Sequence, residues 1–583
     1  MRTLLTALAA LIITFLAGYF VLRTVVPSEG AAVLAYLAAL LTFLSVVGGW
    51  RAFSGWTSGD EAEHLHGWQR YFKFNSDHKV VGVQYTVISL VIFIVSGLMA
   101  LMMRWELSRP GLQLLDHDQY NTIMGIHGIG MVVVALIAIV GGLGNFAVPL
   151  QLGARDMAFP RLNALSFWMV PPAVVLLLTC PLVGGFDFGW TAYPPLSTKG
   201  PYLGKLFFVL AFVTVGFSSI FGGVNFMTTI FRLRAKGMSW MRMPIFVWSV
   251  LSASIIMLMG TSVVAASLIM IMFDRVLGTV FFNPAQGGNV LLYQHLFWYY
   301  SHPAVYIMIL PAFGVILEIL PVFSRKPLFA YPIAAFSFVA IVVLSFIVWA
   351  HHMFTSGMWS VLKIPFMVTT ELISIPTGAV FMSALGTIWA GRIRMRMPML
   401  FAFGFIFNFL IGGLTGIFHA DVPTDLHIHD TWFVVAHFHF TIVGGAVFAF
   451  FAGFYYWFPK MTGRMMNETL GKFHFWLFFL GFNATFIPMF WVGTLGMRRR
   501  VADFPPHLTN LQMWISCAAT IIAAGVAVFL FNVVRSWLKG EPAPSNPWKS
   551  NTLEWQVSSP PPPQNFAQDP EVTTHPYEYG QSV

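Results

Sequence analysis

The sequence predicts an all-α fold, a polytopic bundle of fourteen membrane-spanning helices, on three observations. Of its 583 residues, 57% are hydrophobic and only 9% charged, where soluble globular proteins carry roughly a quarter charged residues. Its apolar runs repeatedly reach the ~20 residues that cross a bilayer. Its lysines and arginines gather in every second loop, the asymmetry that orients a membrane protein. The net charge of +9 therefore records topology and is no nucleic-acid signature. The two cysteines, Cys180 and Cys517, both lie in apolar runs, which excludes a disulfide framework or a cysteine-ligated metal.

The first run, LLTALAALIITFLAGYFVL, follows an arginine but leads to no small-residue cleavage site, and a second apolar run begins almost at once. It is expected to be a retained span and not a signal peptide. In order, the spans are expected at 3–26, 31–50, 80–103, 121–150, 164–183, 204–232, 244–273, 290–321, 329–353, 365–391, 398–418, 432–458, 473–495 and 511–537. Several exceed the minimum length, so they should tilt. The loops at 51–79, 151–163, 232–243, 322–328, 392–397 and 459–472 hold 4, 2, 4, 2, 3 and 3 basic residues, and the loops of the other face hold fewer. The first set is read as cytoplasmic, with both termini inside. From 540 on, the chain turns rich in proline and polar residues and loses apolar periodicity. It should lie extended along the surface as a cytoplasmic tail. No repeat of fixed period is present. The division is thus two extra N-terminal helices (1–52), a core (53–538) and a tail (539–583).

Ionisable residues inside a span are costly, and the default reading is functional. His127 follows YNTIMGI; His302 and Tyr306, four apart, share one helical face; His351 and His352 end LSFIVWAHHMF; His437 and His439 lie in WFVVAHFHFTIVGG. On a helix, a separation of two residues is a rotation of about 200°, so His437 and His439 point to opposite sides. They cannot share one facial metal site, but they can serve two cofactors on either side of one helix. Haem iron and copper both accept imidazole. Any one of these histidines alone reads more readily as a packing residue; H, HH and HxH together do not.

At these positions the chain resembles subunit I of the haem–copper oxidase superfamily, of the cytochrome c oxidase type. The similarity runs from FKFNSDHKVVG at 73 to NPWKSNTLEW at 555, through GGLGNFAVPLQLGARDMAFPRLNALSFW, GWTAYPPLS, SSIFGGVNF, LYQHLFW, HDTWFVVAHFHF and GMRRRVADFP. The family core has twelve spans, which leaves two extra here. The resemblance implies that His127 and His439 hold a low-spin haem, that His437 holds a high-spin haem, and that His302, His351 and His352 hold the distal copper. It implies that Tyr306 is covalently linked to His302, with Pro303 bending the helix that presents both. It places Arg499, Arg500 and Trp190 at haem propionates, Arg104 beside a substituent of the low-spin haem, and a magnesium site at His429 and Asp430. Arginine suits a carboxylate because it can pair with it bidentately. Without the motif, the arginine run would read equally as an interfacial anchor.

The resemblance also implies a proton route from Asp156 past Asn145, Asn163, Ser218, Ser219 and Asn225. Such hydroxyls and amides can order a file of water. Most members end it at a glutamate in HPEVY; here Ala304 stands there, and Tyr300 and Ser301 in YSHPAVY match a subtype that substitutes a tyrosine–serine pair. The family's second route needs a lysine where this chain has Val380, and a serine where it has Leu317 before Glu318; Thr377 remains. That route reads as closed. Two turns before Val380 the chain introduces Glu371, read either as an acid near the distal metal or as a carboxyl facing a polar crevice.

Three functions compete. The favoured one is the catalytic subunit of a respiratory terminal oxidase of the bacterial inner (plasma) membrane, reducing O2 to water and translocating protons. It implies two haems of A type, one copper, a magnesium ion, a dicopper centre in a partner subunit II, a subunit III, and cytochrome c as donor. Cytochrome c is preferred to quinol because Gln119 and Thr122 stand where quinol-oxidising members carry a histidine and a glutamine. The second reading is a nitric oxide reductase derived from an oxidase, favoured by Val380 and Glu371. The third, a transporter, would show inverted repeats, which are not seen.

Overall fold

In a computed structural model of the protein, described over residues 1–52, 67–200 and 202–579, every regular element is helical. Thirteen of these helices are long and apolar enough to cross a bilayer. In chain order, with two shorter ones, they are α1 (Arg2–Leu22), α2 (Ser28–Val47), α3 (His78–Glu106), α4 (His117–Leu152), α5 (Pro160–Val183), α6 (Leu203–Arg232), α7 (Ile245–Val276), α8 (Val290–Ser324), α9 (Tyr331–Ser345), α10 (Ser360–Ile388), α11 (Met397–Ala420), α12 (Val422–Ile428), α13 (Trp432–Thr462), α14 (Glu468–Thr494) and α15 (Pro506–Lys539). The boundary expected at 52/53 and residues 53–66 of the loop 51–79 lie outside the described residues, as does residue 201.

Local chemistry sets the starts of the helices that carry the site. The Asp77 side chain accepts from the Lys79 N–H ahead of α3, Asp116 and Gln119 cap each other ahead of α4, and Asn289 accepts from Leu291 and Leu292 ahead of α8. Inside α4 and α13, the glycine-rich stretches 138–144 and 442–447 widen into π turns, which add a residue to the turn and rotate the remainder of the helix. Close crossing explains the glycines. A Cβ on Gly142 would stand 2.6 Å from Thr86 Oγ1, and one on Gly82 would stand 2.9 Å from the Gly142 carbonyl.

The N-terminal pair packs on α5–α7. Tyr36 and Thr214 share a hydroxyl–hydroxyl bond of 2.9 Å, Phe43 packs on Trp168, and Glu29 pairs with Arg275.

Two expectations are corrected. The ninth span was expected to run through residue 353. Instead α9 stops at Ser345, and His351 and His352 sit in a 3-10 turn over 349–353. Unlike a continued helix, that turn sets both adjacent imidazoles toward α8, each within ring contact of His302.

The tail is also more than a surface coil, because its aromatic and polar residues find buried partners. Trp555 and Tyr577 are fully buried, the Trp548 indole donates to the Tyr456 carbonyl, and the Tyr577 hydroxyl donates to Glu318 at 2.7 Å. Lys79 donates to the Pro563 carbonyl, Lys460 donates to the carbonyls of Ser545 and Val557, and Arg155 and Lys236 pair with Asp569 and Glu571. Every one of these basic anchors belongs to the basic set of loops, so the tail straps one face of the bundle.

Candidate functional site

A cavity of about 1140 Å³ opens between α3, α4, α8, α10, α11, α13, α14 and α15. That exceeds the ~300–1,000 Å³ usual for a single ligand. All six histidines singled out in the sequence line it, as does Tyr306.

At one side, His302 of α8 meets the pair from the 3-10 turn. Its Nδ1 lies 3.2 Å from His352 Nε2, and the ligand atoms of His302, His351 and His352 all lie within 4.8 Å of one another. His302 Nε2 is buried without a hydrogen-bond partner. Three imidazoles converging in this way, one with an orphaned nitrogen, fit a copper-type ion. Tyr306 lies one turn on, its ring centre 4.9 Å from that of His302. Two supports were not anticipated from the sequence. Thr370 Oγ1 lies 3.1 Å from His351 Nδ1, and the Trp298 indole stacks on His352 at 3.8 Å and 12° while donating to the Tyr193 hydroxyl. LYQHLFW contains Trp298, but stacking depends on where α8 meets the turn.

The α13 pair faces two ways. His437 turns to α11, its Nδ1 3.0 Å from Thr415 Oγ1. His439 turns to α14, stacked on Phe486 at 4.1 Å, with its Nδ1–H donated to the Val435 carbonyl. His127 on α4 likewise donates its Nδ1–H to the Ser96 carbonyl. A carbonyl partner fixes the tautomer and leaves Nε2 free to ligate. The residues therefore fit two haem irons on opposite sides of α13.

At the cavity's polar end, Arg499 Nε donates to Asp430 Oδ1 at 2.7 Å. Arg500, in a left-handed conformation, has its guanidinium pKa lowered to about 10 by burial and by the charge of Arg499. A buried cation crowded by another invites an anionic group from the cavity. Arg104 donates to Gln512 at 2.9 Å and stands over Trp432, and Trp190 borders the same space. His429 Nδ1 is 2.7 Å from Asp425, whose other oxygen is 3.0 Å from His419 Nδ1. Against the upward push of burial, these two bonds hold the Asp425 carboxyl below the usual range. Asp425 and His419 were missed; the only sequence signal was the four-residue spacing in DLHIH.

The polar stations of the expected route are only partly gathered. A second cavity of about 30 Å³ is lined by Asn145, Ser218, Ser219 and Tyr300, joined by the unanticipated Tyr85 and Ser166. That is room for water, which needs ~10–15 Å³. Tyr300 lines both cavities. Both amide atoms of Asn163 and the Ser301 hydroxyl are buried without partners, whereas Asn225 is tied to the backbone of Phe159. At the far end, half-buried Asp156 has its carboxyl pKa raised to about 7 by burial and by the charge of Asp77.

Leu317 and Val380 of the second route, Glu371, and the pair Gln119 and Thr122 stay outside the cavity. Leu317 and Val380 are fully buried, and beside Leu317 the Glu318 carboxylate is held by Tyr577. Glu371 is exposed and does not line the cavity. Its neighbour Thr370 takes the inward position, and one residue along a helix is a turn of about 100°. Gln119 is spent on its capping box, and Thr122 exchanges hydrogen bonds with the Phe186 backbone.

Residues 80–546 match the model of the family described as "Cytochrome C and Quinol oxidase polypeptide I". The chain is 48% identical to the cytochrome c oxidase subunit 1 of Synechocystis sp. over 513 residues, 88% of this chain and 93% of that relative. It is 47% identical to the subunit 1 of Thermostichus vulcanus over 514 residues, with the same shares, and 46% identical to that of Corynebacterium diphtheriae over 505 residues, 85% and 89%. Its fold is similar to that of a solved heme–copper terminal oxidase dimer, with a TM-score of 0.67 at 20% identity over 80% of this chain and 84% of that one.

Proposed function

Because this chain belongs to the family of subunit I of the cytochrome c and quinol oxidases, we propose that it is the catalytic subunit of a respiratory terminal oxidase. It takes electrons from cytochrome c through a subunit II that carries a dicopper centre, joins a subunit III, and lies in a bacterial plasma membrane with both termini cytoplasmic. The observation that carries the reading is the single cavity in which His302, His351 and His352 converge beside Tyr306 while His437 and His439 face apart.

His127 and His439 would hold the low-spin haem, His437 the high-spin haem, and His302, His351 and His352 the copper. Both haems are of A type. When bound, these groups pass electrons to O2 and reduce it to water. The protein's own part is positional and protonic. Arg500 and Arg499, with Trp190, would hold haem propionates, Arg104 would hold a substituent of the low-spin haem, and His429 with Asp430 would offer a magnesium site. Tyr306, linked to His302, gives up its phenolic hydrogen where the O–O bond breaks, which needs a proton and an electron together. Protons reach it from Asp156 through the cavity of Asn145, Ser218 and Ser219, with Asn163 and Asn225 beside it, and then by Tyr300 and Ser301. The core 53–538 carries this chemistry, the helices of 1–52 flank it, and the tail 539–583 braces it.

The test is the Tyr306→Phe variant of the purified complex. It should keep its haem spectrum and copper content, since only a hydroxyl is removed, and lose O2 consumption. Sustained O2 reduction by that variant would overturn the role of the phenol, and a wild-type complex without haem bands would overturn the whole reading. The nitric oxide reductase alternative loses one of its two supports with Glu371 turned out of the cavity.

A further inference from the structure

From the seam between the tail and the bundle we infer that Glu318 of α8 and Glu554 of the tail form a proton-binding site. Docking of the tail takes up one proton, which Glu554 holds and donates to Glu318.

Both side chains are fully buried. They lie close enough for the charge of Glu554 to act on Glu318, and for both to act on the hydroxyls of Tyr456 and Tyr579. One oxygen of each is satisfied. Glu318 Oε2 accepts from the Tyr577 hydroxyl at 2.7 Å and from the Phe246 N–H at 3.4 Å, and the Tyr577 oxygen accepts from the Ile245 N–H at 2.7 Å. Glu554 Oε1 accepts from the Gln151 amide at 3.1 Å and from the Trp457 indole at 3.4 Å. The other oxygens, Glu318 Oε1 and Glu554 Oε2, are buried without a partner, and so is Gln151 Oε1. Lys460, whose charge reaches Glu554, spends its N–H groups on the carbonyls of Ser545, Val557 and Ser558.

Two neighbouring carboxylates so far from water do not both stay ionised. Their surroundings decide which keeps its charge. Glu318 stands at the N-terminus of α7, whose first N–H groups and Tyr577 suit a negative charge. Glu554 has a neutral amide and a long indole bond, and burial pushes its carboxyl up. Once protonated, Glu554 Oε2 is a donor and Glu318 Oε1 is its acceptor, directly or through a water. One proton thus supplies the donor that the orphaned oxygens lack. In an undocked tail Glu554 is an ordinary glutamate, ionised at neutral pH. Docking therefore draws the proton from solvent.

The test is proteolysis of the tail in the purified complex, with rates normalised to a synthetic peptide of the same residues. Docking that takes up one proton weakens as the pH rises, so cleavage within 540–579 should speed up by about tenfold from pH 7 to pH 8. Glu554→Gln carries an N–H in place of the proton and should be cleaved at a nearly constant rate. His575 and Lys460 also face this region and titrate in both proteins, so the slope is read as the difference between them. The phenols of Tyr331, Tyr456, Tyr577 and Tyr579 stay neutral across that range. Infrared spectra of the wild type at pH 7 should show a protonated-carboxyl band that shifts in D2O and that Glu554→Gln lacks. Equal slopes in the two proteins, or no difference in that band, would overturn the inference. So would release of the tail by EDTA at pH 7, which would make the ligand a metal ion. A flat wild-type slope overturns it without recourse to the variant.

Discussion

Asp156 shows how a residue chosen by motif acquires a usable chemistry from its neighbours. Burial first, and then the charge of Asp77, bring its carboxyl to about 7, with Lys79 and the N–H groups of Met157 and His78 pulling the other way. An acid with a raised value is protonated below that pH and empties above it. Proton-limited turnover should therefore fall as the pH rises through about 7. Asp77→Asn removes the like charge while keeping a capping side chain, so the fall should move to lower pH. Asp156→Asn should slow turnover by ~10²-fold, the usual scale of a lost proton-transfer group. Steady-state rates across pH for the three proteins check this, and an unmoved profile in Asp77→Asn would show that Asp156 does not collect the proton. The sequence disclosed Asp156 but not Asp77, because the two are brought together only where the turn before α3 meets the loop after α4.

Helix geometry made much of the site legible. The two-residue spacing of His437 and His439 already implied two sides, and the hydrogen bond of His437 to α11 and the stacking of His439 on Phe486 of α14 set them there. His437→Ala should lose the ligand-binding haem and keep a low-spin spectrum; His439→Ala should do the reverse. If optical spectra showed both variants losing the same haem and only that one, the two-sided reading of α13 would fail. Phase was harder to read than spacing. Nothing in TTELISIPTG says which of Thr370 and Glu371 turns inward; the packing of α10 against the histidine turn decides it. The early stop of α9 was equally hidden, since LSFIVWAHHM is apolar to its end and only the convergence on His302 uses the turn. The π turns need a register that no single-helix period reveals.

Across the whole molecule the tail departs furthest from its composition. Proline-rich and polar, it reads as a loose coil, yet Asn565 is fully buried, accepts from Lys79 at 2.8 Å, and donates to His78 Nε2 at 2.8 Å and to the Ala154 carbonyl at 2.9 Å. Its partners lie more than 400 residues away in the chain, so no local pattern could announce them. Asn565→Ala should cost about 1–3 kcal/mol, the range for leaving buried partners unmet. It should be seen as a lower unfolding midpoint and faster proteolysis within 540–579. Equal midpoints and cleavage rates would show that the strap is held by its aromatic anchors alone. The same strap bears on how the protein is made. It leaves the ribosome after every helix it braces, so during synthesis the helices must settle in the membrane while Lys79, Lys460 and Glu318 lack their partners in the tail. The face that carries the basic loops is closed last, when Tyr577 reaches Glu318.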